Sequence, residues 1–150
     1  MRALIQRVSC ASVTVNAQCV GSIESGILAY IGLGHDDNLQ QAQRLVDKIL
    51  TYRIFENDSD PEKRGKLDRS LVQVGGGLLL VSQFTLMANT NKGRRPDFGA
   101  AMPPDAARTL FAELVQYAKA QYTVVATGEF GADMRVESIN EGPLNFLIEV

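Results

Sequence analysis

Three hydrogen-bonding side chains interrupt an apolar stretch in the middle of this 150-residue chain. The run Leu78 to Met87 is almost wholly apolar except for Ser82, Gln83 and Thr85. A buried polar group needs a partner, and leaving one unpaired costs about 1–3 kcal/mol. The trio therefore has two explanations. Either the strand end emerges into solvent, or the three side chains form a pocket wall that offers donors to a polar ligand.

A basic loop at Lys92, Arg94 and Arg95 is the second candidate surface, and further cations stand in the polar stretch from Glu56 to Ser70. Arg and Lys side chains bind backbone phosphates without reading the base sequence. The loop is therefore either an ordinary solvated surface or a phosphate-contacting rim beside the pocket.

Familiar catalytic arrangements are not found. His35 stands beside Asp36 and Asp37, but Gly34 to Asn38 is a good turn and helix start, which favours a solvated turn over a general base with an orienting carboxylate. Gly75 to Gly77 lacks the Lys-Ser/Thr of a phosphate-binding loop. With one histidine and no C-x-x-C pair, the sequence predicts no metal site, and nothing in it indicates a cofactor.

The bulk composition is that of an ordinary soluble protein. The chain is 45% apolar and 21% charged with a net charge of -2, which argues against tight nonspecific nucleic-acid binding but allows a local basic patch. No apolar run approaches the ~18 residues needed to span a bilayer, and the first residues do not read as a signal peptide. We expect one domain, residues 1–150, in the cytoplasm. There Cys10 and Cys19 are expected to be free, mostly buried thiols.

Strands and two amphipathic helices are the elements that must position these residues. Val, Ile and Thr in the first forty residues predict strands, and apolar residues recurring every three or four positions predict helices at Leu39 to Tyr52 and after Pro103. Gly75 to Gly77 is expected to connect two strands as a hairpin, the second being a buried central strand over Leu78 to Met87. Two or three strands close the chain, with Gly142-Pro143 as a turn before the last. This order predicts an α+β domain whose mixed or antiparallel sheet is curved enough to resemble a barrel.

Six stretches occur together in an order that resembles the D-aminoacyl-tRNA deacylases along essentially the whole chain: RALIQRVSCASVTV, YRIFEN, VSQFTLMA, KGRRPDF, TGEFGADM and NEGPLNF. The most specific motifs are Ser82 to Leu86 and Asn140 to Pro143. The resemblance implies hydrolysis of the ester that joins a D-amino acid, or glycine, to the 3′-terminal ribose of tRNA, with L-aminoacyl-tRNA spared. It also implies a homodimer with active sites at the subunit interface.

The resemblance assigns roles to individual residues. The catalytic pocket would be lined by Ser82, Gln83, Phe84 and Thr85. Substrate binding and chiral selection would fall to Gly142, Pro143, Asn140, Met134 and Phe130. Contacts to tRNA would come from Lys92, Arg94 and Arg95. In the family the Gly-Pro peptide bond is cis and reaches into the partner subunit's pocket, where its carbonyls would exclude the Cβ of an L-residue.

An aminoacyl ester is already activated, so its hydrolysis does not require a Ser-His-Asp triad. Fixed donors and a nearby water can supply much of the acceleration, and the backbone amides near Phe84 and Thr85 are candidates to stabilise the oxyanion. The ribose 2′-hydroxyl of the substrate could help to activate water. Thr85 could instead be the nucleophile, but no base adjoins it in the sequence, which favours a positioning role.

The sequence departs from the family pattern at two notable positions. Asn145 stands where threonine is usual, and Asp97 where serine or asparagine is common. Because Asn145 departs from the family pattern, a second hypothesis is a noncatalytic RNA- or amino-acid-binding module on the same scaffold. A general hydrolase of small esters is a third hypothesis, against which the basic loops count.

Overall fold

The computed structural model describes residues 1–57, 60–91 and 93–150. Its strands are β1 (Arg2–Val15), β2 (Gln18–Ile23), β3 (Gly26–Gly32), β4 (Arg53–Glu56), β5 (Leu67–Ser70), β6 (Gly77–Ser82), β7 (Val125–Thr127) and β8 (Arg135–Glu149). Its helices are α1 (Leu39–Thr51), α2 (Leu71–Val74) and α3 (Pro104–Gln121), and a 3₁₀ turn covers Phe84–Met87.

One mixed sheet organises the domain, in the order β2-β1-β3-β6-β7, with β8 pairing along β1. Strand β6 pairs in parallel with β3 and with β7, and the other pairs, including β1 with β3, are antiparallel. The sheet curves until β2 meets β7: a Cβ added at Gly21 would lie 2.3 Å from the carbonyl oxygen of Thr127. Only glycine permits this approach. The predicted α+β fold with a barrel-like mixed sheet is therefore confirmed.

The two predicted amphipathic helices are confirmed, and both pack on one face of the sheet. Helix α1 begins at a capping box formed by Asn38 and Gln41, which explains why the turn before it is polar. Its buried side chains are those of the predicted apolar stripe: Ala42, Leu45, Val46, Ile49 and Leu50. Helix α3 starts at Pro104 and buries Leu110, Phe111 and Leu114 in the same core, against Ile5, Ile27 and Leu80 of the sheet.

The other face of the sheet is only partly covered. Val8, Val13, Leu28 and Val81 form a second, smaller apolar cluster there. Towards the start of β1 this face becomes open, with Leu4 and Tyr30 half-buried and Leu147 of β8 58% exposed. Partial burial raises the pKa of the Tyr30 hydroxyl. No helix covers this open face within the described residues, so a single chain leaves apolar surface in water.

The predicted hairpin at Gly75–Gly77 is wrong. Leu71 to Val74 forms the one-turn helix α2, and Gly75 ends it with a φ of +69°. The Gly75 amide then donates to the Leu71 carbonyl at 3.0 Å. A capping box between Ser70 and Gln73 starts this helix. The apolar residues Leu71, Val72 and Val74 are equally compatible with a strand. The capping box and the glycine at the end of the segment favour a helix.

The predicted central strand over Leu78–Met87 is too long. Strand β6 ends at Ser82, and the chain turns into the 3₁₀ turn at Phe84. Ser82 and Gln83 are half-buried and Thr85 is exposed, so the polar trio is not enclosed within the chain. The strand end does emerge at the surface, but it does so in the wall of a cavity.

Gly142-Pro143 does not form a turn before the last strand. Strand β8 runs continuously through it, paired with β1 on both sides. Gln6 pairs with Asn145 and Val8 with Asn140, so two positions along β1 correspond to five along β8. The extra residues of β8 leave the ladder as a bulge. The Gly142-Pro143 bond within it is cis, as the resemblance implied.

Both cysteines are free, as predicted, but they are exposed rather than buried. Thr14 of β1 pairs with Cys19, whereas Cys10 stands where the pairing of β1 with β8 shifts. His35 is exposed in the turn before α1, in agreement with its interpretation as a solvated turn residue.

Candidate active site

A cavity of about 630 Å³ opens at the end of β6, and it contains much of the predicted site. Its walls come from the end of β6, the loop before α3, the first turn of α3 and the segment before β8. They are mostly apolar. The lining residues are Val81, Ser82, Gln83, Phe84, Phe98, Ala101, Met102, Pro103, Pro104, Ala107, Phe130, Gly131, Ala132, Met134 and Val136.

The polar end of this cavity is held in place by backbone contacts. The Gln83 amide donates to the Ile31 carbonyl at 2.7 Å, which extends the pairing of β6 with β3 by one residue. The Arg2 guanidinium donates to the Leu86 carbonyl at 3.2 Å and binds Glu149 at 2.6 Å. The 3₁₀ turn is thereby attached to both ends of the chain. A short turn cannot pair its own first amides internally, and no other described residue accepts a hydrogen bond from the Phe84 or Thr85 amide, so both remain available as donors.

Thr85 contacts Gln83 rather than a base. The Gln83 side-chain amide donates to Thr85 Oγ1 at 2.6 Å. No carboxylate or imidazole in the described part of the chain hydrogen-bonds to this hydroxyl. Thr85 itself does not line the cavity of its own chain. The geometry therefore gives Thr85 an oriented oxygen without the proton acceptor that a nucleophile needs.

Aromatic side chains form two walls of the cavity. The Phe84 and Phe98 rings lie 5.0 Å apart, and Phe84 is 60% exposed, which is unusual for so large an apolar side chain. The second wall contains Phe130, whose ring lies 5.9 Å from that of Phe111 of the core. Met134 is seated over Gly128, where an added Cβ would lie 2.7 Å from its sulfur. Phe130 and Met134, both predicted substrate-binding residues, therefore line the cavity.

The basic loop is connected directly to the cavity wall. Asn89 and Asp97 close it with two backbone hydrogen bonds, of 2.7 and 3.2 Å. Arg94 and Arg95 are exposed within it, and Phe98 of the cavity follows immediately. Lys92, the third predicted tRNA contact, lies outside the described residues. Asp97 accepts a hydrogen bond from the Gly99 amide, so it shapes the loop.

The bulge of β8 is held by a relay of amide side chains. Asn140 Nδ2 donates to the carbonyls of Arg7 and Leu144, at 2.9 and 3.1 Å. Asn145 Nδ2 donates to Asn140 Oδ1 at 3.0 Å, and Asn145 accepts from Gln6 at 2.7 Å. Asn140 is thus a brace for the bulge, and Asn145 extends that brace to β1.

Gly142 and Pro143 at the tip of the bulge are exposed and do not line the cavity of their own chain. Asn140 is also absent from that cavity. A single chain therefore brings together Ser82, Gln83 and Phe84 with Phe130 and Met134. It does not bring the Gly-Pro segment to them.

Comparison with known proteins identifies the family of the chain. A model of the D-Tyr-tRNA(Tyr) deacylase family matches residues 4–149. The chain belongs to this family. A D-aminoacyl-tRNA deacylase of Psychrobacter cryohalolentis is 73% identical over 150 residues, which are 100% of this chain and 99% of the relative. One from Acinetobacter baumannii is 53% identical over the same shares.

Solved structures resemble the chain just as completely. The structure titled c-Myc DNA Unwinding Element Binding Protein has a TM-score of 0.93 and 34% identity, covering 100% of this chain and 99% of that one. A probable eukaryotic D-amino acid tRNA deacylase has a TM-score of 0.85 at 19% identity, covering 99% and 98%, which shows the shared fold. The family membership gives no support to a noncatalytic module. Among the described residues no helix is long and apolar enough to cross a membrane.

One wall of the cavity was not predicted from the sequence. Phe98 and the segment from Ala101 to Ala107 form one wall, but no role was predicted for them. The available signal was the aromatic residue directly after the basic loop, since exposed aromatics beside cations are typical of nucleic-acid surfaces.

Proposed function

We propose that this protein hydrolyses the ester of D-aminoacyl-tRNA, and of glycyl-tRNA, and spares L-aminoacyl-tRNA. The observation that carries the proposal is the cavity at the end of β6. It has a polar end at Ser82 and Gln83, aromatic walls, and a basic loop attached through Phe98. Apolar and aromatic walls suit a nucleoside, the polar end suits the ester, and exposed arginines suit the phosphates of an RNA. The names of the relatives add weight to this assignment.

In this proposal the chemistry depends on positioned donors. The amides of Phe84 and Thr85 stabilise the negative charge that develops on the ester carbonyl oxygen. Thr85, whose hydroxyl is oriented by Gln83, holds the ester rather than attacking it. A water molecule attacks, with the 2′-hydroxyl of the terminal ribose assisting. The protein supplies no metal or cofactor in this scheme.

A second copy of the chain would complete the site. The Gly142-Pro143 tip is exposed and lies outside its own cavity, beside the open sheet face formed by Leu4, Tyr30 and Leu147. Burial of this apolar face against a second copy would remove it from water. A two-fold arrangement would then place each bulge in the partner's cavity. We therefore propose a homodimer with two shared active sites.

Chiral selection follows from a backbone wall in this arrangement. Residues 142–143 of the partner subunit would occupy the space that the Cβ of an L-residue needs. A D-residue directs its side chain elsewhere, and glycine has none. A wall of backbone atoms rejects by shape and does not read the side chain, so one site could serve many amino acids. The cytoplasm, where aminoacyl-tRNA is made and used, is the proposed location of this single-domain protein.

Ester loss from two enantiomers tests the proposal. Purified protein is offered D-tyrosyl-tRNA and L-tyrosyl-tRNA, and a simple D-tyrosine ethyl ester serves as control. We expect rapid loss of the D-aminoacyl bond, no acceleration for the L form, and little action on the ethyl ester. Equal rates on both enantiomers would exclude chiral selection. Fast cleavage of the ethyl ester at a rate independent of salt would instead favour a general esterase.

A further inference from the structure

Arg108 is a cation on the rim of the cavity to which the predicted site gives no role. It lies on the second turn of α3, beside Ala107 of the cavity wall, and its side chain is exposed. The guanidinium carbon is 5.0 Å from the centre of the Phe130 ring. Nη1 contacts the Phe130 carbonyl at 3.5 Å, and Nη2 is 3.4 Å from the position of a Cβ added at Gly131.

These contacts orient the guanidinium but leave most of its donors open. An arginine has five N–H groups, and the contact with Phe130 uses one of them. Elsewhere Arg2, Arg7 and Arg53 each have a carboxylate within 4.0 Å. No carboxylate among the described residues pairs with Arg108 in this way. A stacked, planar cation with free donors at the mouth of a cavity is suited to a phosphate.

We propose that Arg108 binds the 5′-phosphate of the terminal nucleotide of the substrate. This rests on the proposed function, which places the aminoacyl ester at Ser82 and Gln83. The nucleoside then lies between the Phe84 and Phe130 walls, and its phosphate leaves the cavity over Phe130. Stacking on Phe130 holds the guanidinium where that phosphate emerges. Arg108 thus adds a contact at the cavity mouth to those proposed for the basic loop.

The test compares two ligands that differ only in this phosphate. Both are adenosines that carry a D-alanyl group in a 3′-amide linkage, which replaces the ester and resists cleavage. One has a 5′-phosphate and the other a 5′-hydroxyl. Calorimetric titration at low salt measures the dissociation constant of each, so the result does not require the protein to cleave an ester. Tyrosyl-tRNA assays in parallel report on the proposed function separately.

For the native protein we expect the phosphorylated ligand to bind about tenfold more tightly. In Arg108→Ala this preference should disappear while the affinity for the 5′-hydroxyl ligand stays the same. Arg108→Lys should keep part of the preference, since it retains the charge but loses the planar fork. Lys119→Ala, at the far end of α3, is the matched control and should change neither affinity.

Two outcomes would overturn the proposal. One is an unchanged phosphate preference in Arg108→Ala. The other is an equal loss of affinity for both ligands, which would mean that Arg108 only holds Phe130 in place. If the native protein binds both ligands as expected but leaves D-tyrosyl-tRNA intact, the deacylase function fails and the phosphate contact stands.

Discussion

The hydroxyl of Thr85 and the amide of Gln83 form a pair in which neither side chain can accept a proton to generate a nucleophile. Gln83 donates to Thr85 Oγ1, and its amide has no basic nitrogen. The pair can hold an ester or a water by hydrogen bonds. Catalysis then depends on the positioning of these reactants and on the backbone amides that stabilise the developing charge.

We expect Thr85→Ala to lower kcat on D-tyrosyl-tRNA by about tenfold, which corresponds to the loss of one or two neutral hydrogen bonds. Gln83→Ala should have a similar effect because it releases Thr85. The double variant should be little worse than either single one, since the two side chains act as a unit. Single-turnover kinetics measure the effect. Trapping a threonyl ester in acid-quenched native protein would contradict the positioning role.

Asn140 holds the bulge of β8 through two side-chain hydrogen bonds within its own chain. The resemblance placed it in substrate selection, whereas its side chain here bonds to the carbonyls of Arg7 and Leu144 within the chain. We expect Asn140→Ala to reduce the free energy of unfolding by about 1–3 kcal/mol, because two half-buried carbonyls lose their donor. Urea denaturation measures it, and Asn89→Ala, in the exposed basic loop, is the control. A variant of native stability that accepts L-tyrosyl-tRNA would instead show that Asn140 acts in substrate selection and does not support the bulge.

At the scale of elements, the bulge of β8 depends on a glycine. Gly142 has a φ of +112°, and a Cβ there would lie 2.8 Å from Leu144 Cγ and 3.0 Å from the Leu144 amide nitrogen. Alanine at this position would be strained by the positive φ, and its Cβ would also clash with the backbone of Leu144.

Gly142→Ala should therefore move the tip of the bulge and lower the deacylation rate at least about tenfold, even if the fold survives. Gly65→Ala is a matched control. Gly65 also has a positive φ, of +73°, but no heavy atom lies within 4 Å of an added Cβ. It should cost about 1–2 kcal/mol of stability and leave the rate unchanged. Native rates in Gly142→Ala would mean that the bulge takes no part in the site.

The elements divide into those that sequence could predict and those that it could not. Helix α1 was predictable because its buried stripe and its Asn38 cap agree. The end of β6 was not, because Phe84, Leu86 and Met87 are as apolar in a 3₁₀ turn as in a strand. Continuity of β8 through Pro143 was also hidden, since a proline usually ends ladder pairing and only the bulge accommodates it. For the site, motifs identified Ser82 to Phe84, Phe130 and Met134, but the Phe98 wall required the tertiary structure.

At the scale of the whole molecule, the helices cover one face of the sheet and leave the start of β1 and the end of β8 open. Leu147 is 58% exposed on that open face.

We expect Leu147→Asp to weaken self-association at least about 100-fold, because burial of an unpaired carboxylate at an interface costs several kcal/mol. Sedimentation velocity measures it, and the deacylation rate should fall in parallel. Val72→Asp is the control, since Val72 is similarly exposed but lies on α2. A native protein that sediments as a monomer while fully active would exclude the dimer.

The central claim is that each active site joins the cavity of one subunit to the bulge of another, and subunit mixing tests it most directly. Ala132→Trp should fill the cavity, which Ala132 lines, and Gly142→Ala should displace the bulge, so each homodimer is nearly inactive. After exchange of subunits, half of the dimers are mixed, and each mixed dimer has one site with both parts intact. We expect recovery of about one quarter of the native rate on D-tyrosyl-tRNA, with L-tyrosyl-tRNA still spared. If the mixture stays as inactive as its components after exchange is verified, the shared site is contradicted.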